Sequence, residues 1–232
     1  MSNEMNRRAF MKASAATGAA LVAVAVPLVS AQDLKPIELP KATTTSGNAL
    51  LEVLGKRRST RTISGEPLPP AVLSTLLWAA AGISRPDGKR TAPTANDKQE
   101  IDIYVAMANG LYLYDAKANN LRPILATDIR AMTGIQAQAY VKEAAVNLVY
   151  VADYSRMTNY YFGHVAEETK ALYTAAATGC ISENVYLYCA SEGLATVLRA
   201  EIDRPALAGI MKLRPEQKII LAQSVGYPKK AA

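Results

Sequence analysis

Between residues 169 and 189 the chain carries small or apolar residues on more than one helical face, inside a helical pattern that spans residues 161–192. A helix that is apolar nearly all round must be covered on both sides, and a chain of this size can cover only part of it from within. The pattern therefore predicts a long central helix with a second copy of the chain on its other side, an obligate homodimer. Ala171, Ala175, Thr178, Ser182 and Val185 are small enough for another helix to approach closely.

Elsewhere the period changes. Residues 101–107 and 111–115 alternate as strands do, and Asn109-Gly110 between them is a hairpin signal. Residues 146–152 form a nearly continuous β-branched run, which suits a strand buried on both faces. Residues 194–199 and 219–225 read as further strands, with Asp203-Arg204-Pro205 opening a short helix between them. Two earlier helices are expected over residues 48–56 and from Pro69-Pro70 through Ala80, since proline is tolerated in a first helical turn. Irregular alternation with an internal hairpin predicts an α+β fold rather than a doubly wound sheet.

The N-terminus has its own logic. Arg7, Arg8 and Lys12 precede an apolar run over residues 13–29, and Val29-Ser30-Ala31 offers small residues for cleavage before Gln32-Asp33. Ser14, Thr17 and Gly18 dilute the run, and it falls short of the roughly 20 apolar residues that span a bilayer. Paired arginines followed by Phe10 and Lys12 resemble the twin-arginine export signal, whose machinery carries folded proteins. Residues 1–31 are accordingly expected to be a signal peptide, cleaved near Ala31, that sends the protein to the periplasm. Residues 32–46, rich in Pro, Thr, Lys and Ser, read as a linker, and residues 47–232 as one domain.

Composition narrows the chemistry. The net charge of +6 loses three basic residues and one acidic one with the signal, and no basic tract or aromatic platform argues for nucleic acid. Cys180 and Cys189, nine residues apart in one helical pattern, fall on opposite faces about 13 Å apart along the axis and cannot pair within a chain. His164 is the only histidine, so neither a histidine metal site nor a hydrolase triad is expected. No phosphate-binding glycine loop or nucleophile elbow occurs.

What remains is the cluster Lys56-Arg57-Arg58-Ser59-Thr60-Arg61. Forked guanidinium donors separated by hydroxyls are what a phosphate group needs. With it, four stretches resemble the nitroreductase superfamily in order and spacing. Arg57-Arg58-Ser59-Thr60-Arg61 is similar to the opening Arg-x-Ser-x-Arg/Lys element, and residues 76–83 followed by residues 90–95 are similar to the second helix and Pro-Ser-Ala loop. Residues 179–188 with residues 192–197 resemble the long central helix and the strand after it, and residues 225–229 resemble the closing segment. Within the superfamily, residues 101–115 are most similar to the thiazoline-oxidising dehydrogenases of peptide-toxin maturation.

The resemblance implies a central, mostly antiparallel sheet flanked by helices, a dimer, and an FMN cofactor at the subunit boundary. It implies that Arg57, Ser59 and Arg61, with Arg58 among them, hold the FMN phosphate, ribityl chain and pyrimidine edge. Pro93, Thr94 and Ala95 match the loop that lies over the flavin from the partner subunit, and Asp97 or Asn96 a ring contact. Ala200 and Glu201 match the pair whose backbone faces flavin N5, with Glu201 where relatives often have glycine, and Lys229 would complete the phosphate site. No catalytic side chain is implied, because the flavin carries the redox chemistry. The expected function is an FMN-dependent oxidoreductase working by a ping-pong cycle on a small-molecule substrate. A ligand-binding protein of the same fold without turnover, or an interaction protein with residues 32–46 as its docking tail, are the alternatives. Replacing Arg7 and Arg8 by lysine should retain the protein in the cytoplasm, as read by cell fractionation; continued export would remove the twin-arginine reading.

Overall fold

A computed structural model describes residues 34–44, 48–158, 160 and 163–229; the signal segment lies outside them. Seven strands form one sheet: β1 Ile37–Glu38, β2 Ile101–Met107, β3 Gly110–Asp115, β4 Asn120–Leu125, β5 Val146–Asp153, β6 Ala195–Arg199 and β7 Gln217–Gly226. Their order across the sheet is β1-β4-β3-β2-β5-β7-β6, and every pairing is antiparallel. Five helices accompany it: α1 Leu50–Lys56, α2 Pro70–Ala81, α3 Tyr140–Glu143, α4 Glu167–Glu192 and α5 Arg204–Ile210.

Alternation along the strands makes two cores. On one face Ile103, Val105, Leu148 and Tyr150 meet Leu73, Leu76 and Leu77 of α2 and Ile181, Val185 and Cys189 of α4. On the other, Tyr104, Val149 and Val151 meet Leu207 of α5, Met211 and Ala222. All eight residues of β5 are buried, as its β-branched run requires. Each fully buried leucine or isoleucine contributes roughly 1.5–3 kcal/mol. One polar chain crosses the first core: the Tyr150 hydroxyl donates to Gln223 Oε1 at 2.6 Å, and Gln223 Nε2 donates to Thr196 Oγ1 at 3.1 Å.

Several local expectations are corrected. The central helix begins at Glu167 rather than at residue 161. Gly163 sits at φ 93°, and Ala166 is extended at ψ 153°, which leaves Glu167 and Glu168 in the first turn where the helix dipole favours acids. The stretch read as a linker contributes a strand: Ile37 pairs with Leu121, Glu38 with Asn120, and Leu39 is buried. Two strand residues inside a Pro- and Thr-rich segment leave no readable period. In the hairpin, Met107 pairs with Gly110, so Ala108 and Asn109 make the turn. Gly110 stands at φ 146°, and a Cβ there would meet the Leu125 carbonyl at 2.4 Å, so glycine is required.

One buried group has no counterpart in this scheme. Glu100, directly before β2, is fully buried, and neither carboxyl oxygen has a hydrogen-bond partner outside its own residue. Burial pushes its pKa up, against the opposing pull of its own backbone amide and of Arg156. The folded chain therefore holds a proton that the unfolded chain releases in the ordinary carboxylate range, and stability falls as pH rises from that range through the raised pKa. Glu100→Gln should remove this loss and raise stability at neutral pH while changing little under acid. Urea unfolding of both proteins across pH checks it; parallel pH profiles would contradict it.

Candidate functional site

The cluster after α1 is stitched to the sheet edge and the C-terminus. Thr60 N–H donates to the Thr196 carbonyl at 2.8 Å, Ser64 N–H to the Tyr227 carbonyl at 2.7 Å, and Lys229 N–H to the Thr62 carbonyl at 3.0 Å. Ile63, wholly buried, bridges to Pro228. Tyr186 of α4 is the hub: its hydroxyl lies 2.8 Å from Ser59 Oγ and accepts the Leu198 N–H at 2.8 Å. The helix, the cluster and edge strand β6 thus meet at one oxygen.

Between them opens a cavity of about 600 Å³, lined by Lys56, Arg58, Ser59, Thr60, Arg61, Tyr186 and Thr196 among others. Among the described residues Arg58 and Arg61 form neither an ion pair nor a hydrogen bond. Arg57 stands beside the cavity, its guanidinium carbon 5.3 Å from the Tyr186 ring centroid and its Nε 3.9 Å from Glu183 Oε1. Two unneutralised guanidiniums, two hydroxyls and a lysine form a donor set suited to a phosphate or another anion, with an aromatic ring and aliphatic surface below it.

The other predicted residues lie elsewhere. Lys229 follows Pro228 of the cavity wall but turns its ammonium to Glu143 Oε2 at 2.5 Å, and that ammonium lowers the Glu143 pKa. Ala200 and Glu201 are exposed just past the end of β6, and Glu201 Oε2 accepts from Gln138 Nε2 at 3.3 Å. From Thr196 to Ala200 the strand advances about 13 Å, so the cavity and this pair mark opposite ends of one edge strand. Pro93, Thr94 and Ala95 line a separate cavity of about 170 Å³ against Tyr173, Ala176, Ala177 and Cys180 of α4. Their loop is taut: Asn96, Asp97 and Gln99 hold φ values of 52°, 51° and 47°. It is fixed by Gln99 N–H to Thr94 Oγ1 at 2.9 Å, Gln99 Nε2 to Asp97 Oδ1 at 3.1 Å and Arg156 Nη1 to the Gln99 carbonyl at 2.8 Å.

Within one chain, then, the loop and the cluster are apart. The α4 residues touching each are centred about 18 Å from one another along the helix axis. In the half that meets the loop the helix exposes Ala175, Ala176, Gly179 and Cys180, with Leu172 66 % exposed nearby, and α1 presents Leu50 and Leu51 at 62 % and 82 %. Cys180 and Cys189 are both free, the first exposed and the second buried. Tyr186 had no signal in the sequence, being one tyrosine inside an ordinary helical pattern.

The nitroreductase family model matches residues 54–227, and a model of the twin-arginine translocation signal matches residues 4–24. A protein of Methanocaldococcus jannaschii assigned to the nitroreductases is 31 % identical over 156 residues, covering 64 % of this chain and 76 % of its own length. The crystal structure of a Ralstonia eutropha protein with the same assignment has a TM-score of 0.80 at 39 % identity, covering 89 % of this chain and 96 % of that one. An NADPH:FMN oxidoreductase from Vibrio harveyi, solved with NAD+, shares the fold with a TM-score of 0.58 at 20 % identity, over 79 % of this chain and 70 % of its own.

Because one hydroxyl holds both Ser59 and the Leu198 amide, Tyr186→Phe should cost about 1–3 kcal/mol by leaving a part-buried donor without its acceptor. Denaturant unfolding of the two proteins measures it, and an unchanged midpoint would contradict the hub.

Proposed function

The chain belongs to the nitroreductase family, and we propose that it is an exported oxidoreductase that carries FMN in the cavity above Tyr186, in a homodimer whose two sites each draw on both chains. The observation that carries this reading is the cavity's donor set, Arg58 and Arg61 without partners beside Ser59 and Thr60, at the place where the family resemblance puts the FMN phosphate. An edge strand running about 13 Å from that cavity to Ala200 and Glu201 suits an elongated cofactor with its phosphate at one end and its ring at the other.

Bound FMN supplies two-electron acceptance and donation, in a ping-pong cycle between a donor and a small-molecule substrate. The residues of this chain do the rest. Arg57, Arg58, Ser59 and Arg61 hold phosphate, ribityl chain and pyrimidine edge, and Lys229 joins them if it exchanges Glu143 for the phosphate. The backbone at Ala200 and Glu201 orients the ring for hydride transfer, a task that does not depend on the Glu201 side chain. Pro93, Thr94, Ala95 and Asp97 cover the ring from the partner and exclude water. Their distance from the cluster within one chain supports this crossing, as does the bare apolar stripe on α4.

The twin-arginine signal supports loading of the cofactor before export, with cleavage near Ala31 releasing the enzyme into the periplasm. Nicotinamide nucleotides are scarce there, so a quinone, a protein donor or the substrate itself is as suitable a reductant. The likeness of residues 101–115 to the thiazoline-oxidising branch supports the last of these.

Isothermal titration of the flavin-free mature chain with FMN tests the site. Arg57→Ala and Arg61→Ala should each weaken binding by about 1.5–3 kcal/mol, roughly 10- to 150-fold. No uptake of FMN by the native chain would sink the cofactor assignment; unchanged affinity in both variants would return the cluster to ordinary surface charge.

A further inference from the structure

Arg199, the last residue of β6, is a buried cation without a counterion. It is 6 % exposed and reaches across the sheet into four neutral acceptors. Nε donates to Ser224 Oγ at 3.2 Å, Nη2 to Thr133 Oγ1 at 2.8 Å and to Asn147 Oδ1 at 3.1 Å, and Nη1 to the Thr133 carbonyl. Among the described residues no carboxylate pairs with it, whereas Arg130, Arg156 and Arg214 each have an aspartate. Glu201, two residues on, is exposed and bonded to Gln138 instead.

Four neutral hydrogen bonds engage every nitrogen of the guanidinium but leave its charge unbalanced, which is costly in a protein interior. Burial lowers the Arg199 pKa to about 10, which still leaves the group charged at neutral pH. A clamp between β5, β6 and β7 alone would not need the charge. An aspartate in place of Asn147 would hold the same guanidinium and neutralise it. The arrangement keeps a positive charge under the end of the edge strand, one residue before Ala200 and Glu201.

We propose that Arg199 is a positioning residue for charge: its unpaired cation stabilises the negative charge that reduction leaves on a flavin ring seated at Ala200 and Glu201. The inference rests on the FMN reading above. Reduction would bring two electrons and one proton to a bound ring, and the surplus negative charge is what the nearby Arg199 cation would stabilise. A unit charge acting over roughly 10 Å at an effective dielectric constant of about 20 moves such an equilibrium on the order of tenfold.

The test compares the oxidised-to-reduced equilibrium of bound FMN, poised against reference dyes, in the native holoenzyme and three variants. Arg199→Gln removes the charge, Arg199→Lys retains it, and Asn147→Asp keeps the guanidinium and its acceptor while cancelling the charge. Arg199→Gln and Asn147→Asp should each disfavour the reduced form about tenfold, or about 30 mV for a two-electron couple, with Arg199→Lys close to native. Should Arg199→Gln fail to fold, Asn147→Asp decides, because the one hydrogen bond it removes is that from Asn147 Nδ2 to the Val141 carbonyl. Bound FMN with an unmoved equilibrium in Asn147→Asp overturns the inference alone. A native chain that takes up no FMN overturns it together with the cofactor reading.

Discussion

A helix of 26 residues laid on an antiparallel sheet can bury only the side that faces the strands. In this chain that side is Ala177, Ile181, Val185 and Cys189, and it locks against β2, β5 and α2. The opposite side keeps Leu172, Ala175, Ala176, Gly179 and Cys180 in the open, and α1, beside the last turns of the helix, adds its exposed leucines. Water is an expensive neighbour for such a stripe, and a second copy of the same helix is its simplest cover. The placement of the two candidate half-sites follows from this geometry. The taut loop at residues 93–97 stands against the first half of the helix and the arginine cluster against its last turns, so a two-fold axis between them would bring one chain's loop toward the other chain's cluster.

The cluster itself is fixed by backbone, not by its charges. Thr60, Ser64 and Lys229 exchange main-chain hydrogen bonds with β6 and the C-terminal segment, and the Tyr186 hydroxyl closes the corner. Arg58 and Arg61 thereby keep their donors available for a ligand. Arg199 shows the converse arrangement, a guanidinium whose three nitrogens are all engaged and whose charge is left over. On the proposed reading, the exposed donors at one end of β6 and the buried cation at the other would serve the phosphate and the ring of a single anionic cofactor.

Much of this was legible in the residues because it is periodic. The hairpin, the buried central strand, the proline-led second helix and the last two strands all announce themselves through alternation or caps, and each stands within a residue or two of its expected place. β4 was not legible: its Pro123 and Arg122 break the pattern of a strand. The proline is tolerated because the outer neighbour, β1, pairs only with Asn120 and Leu121. β1 and α3 are too short to carry a period. In the site, charge spacing revealed the arginine cluster, but Tyr186 and Arg199 owe their contacts to what the fold brings beside them from residues far away in sequence, and nothing local marks them.

On the proposed reading, one chain makes only half a flavin site. Light scattering on a size-exclusion column, with the protein and flavin absorbances recorded together on the mature chain, tests it directly. Flavin at one per chain should elute with a species of dimer mass and be lost whenever dilution yields monomer. A monomer mass with full flavin occupancy at micromolar concentration would contradict it.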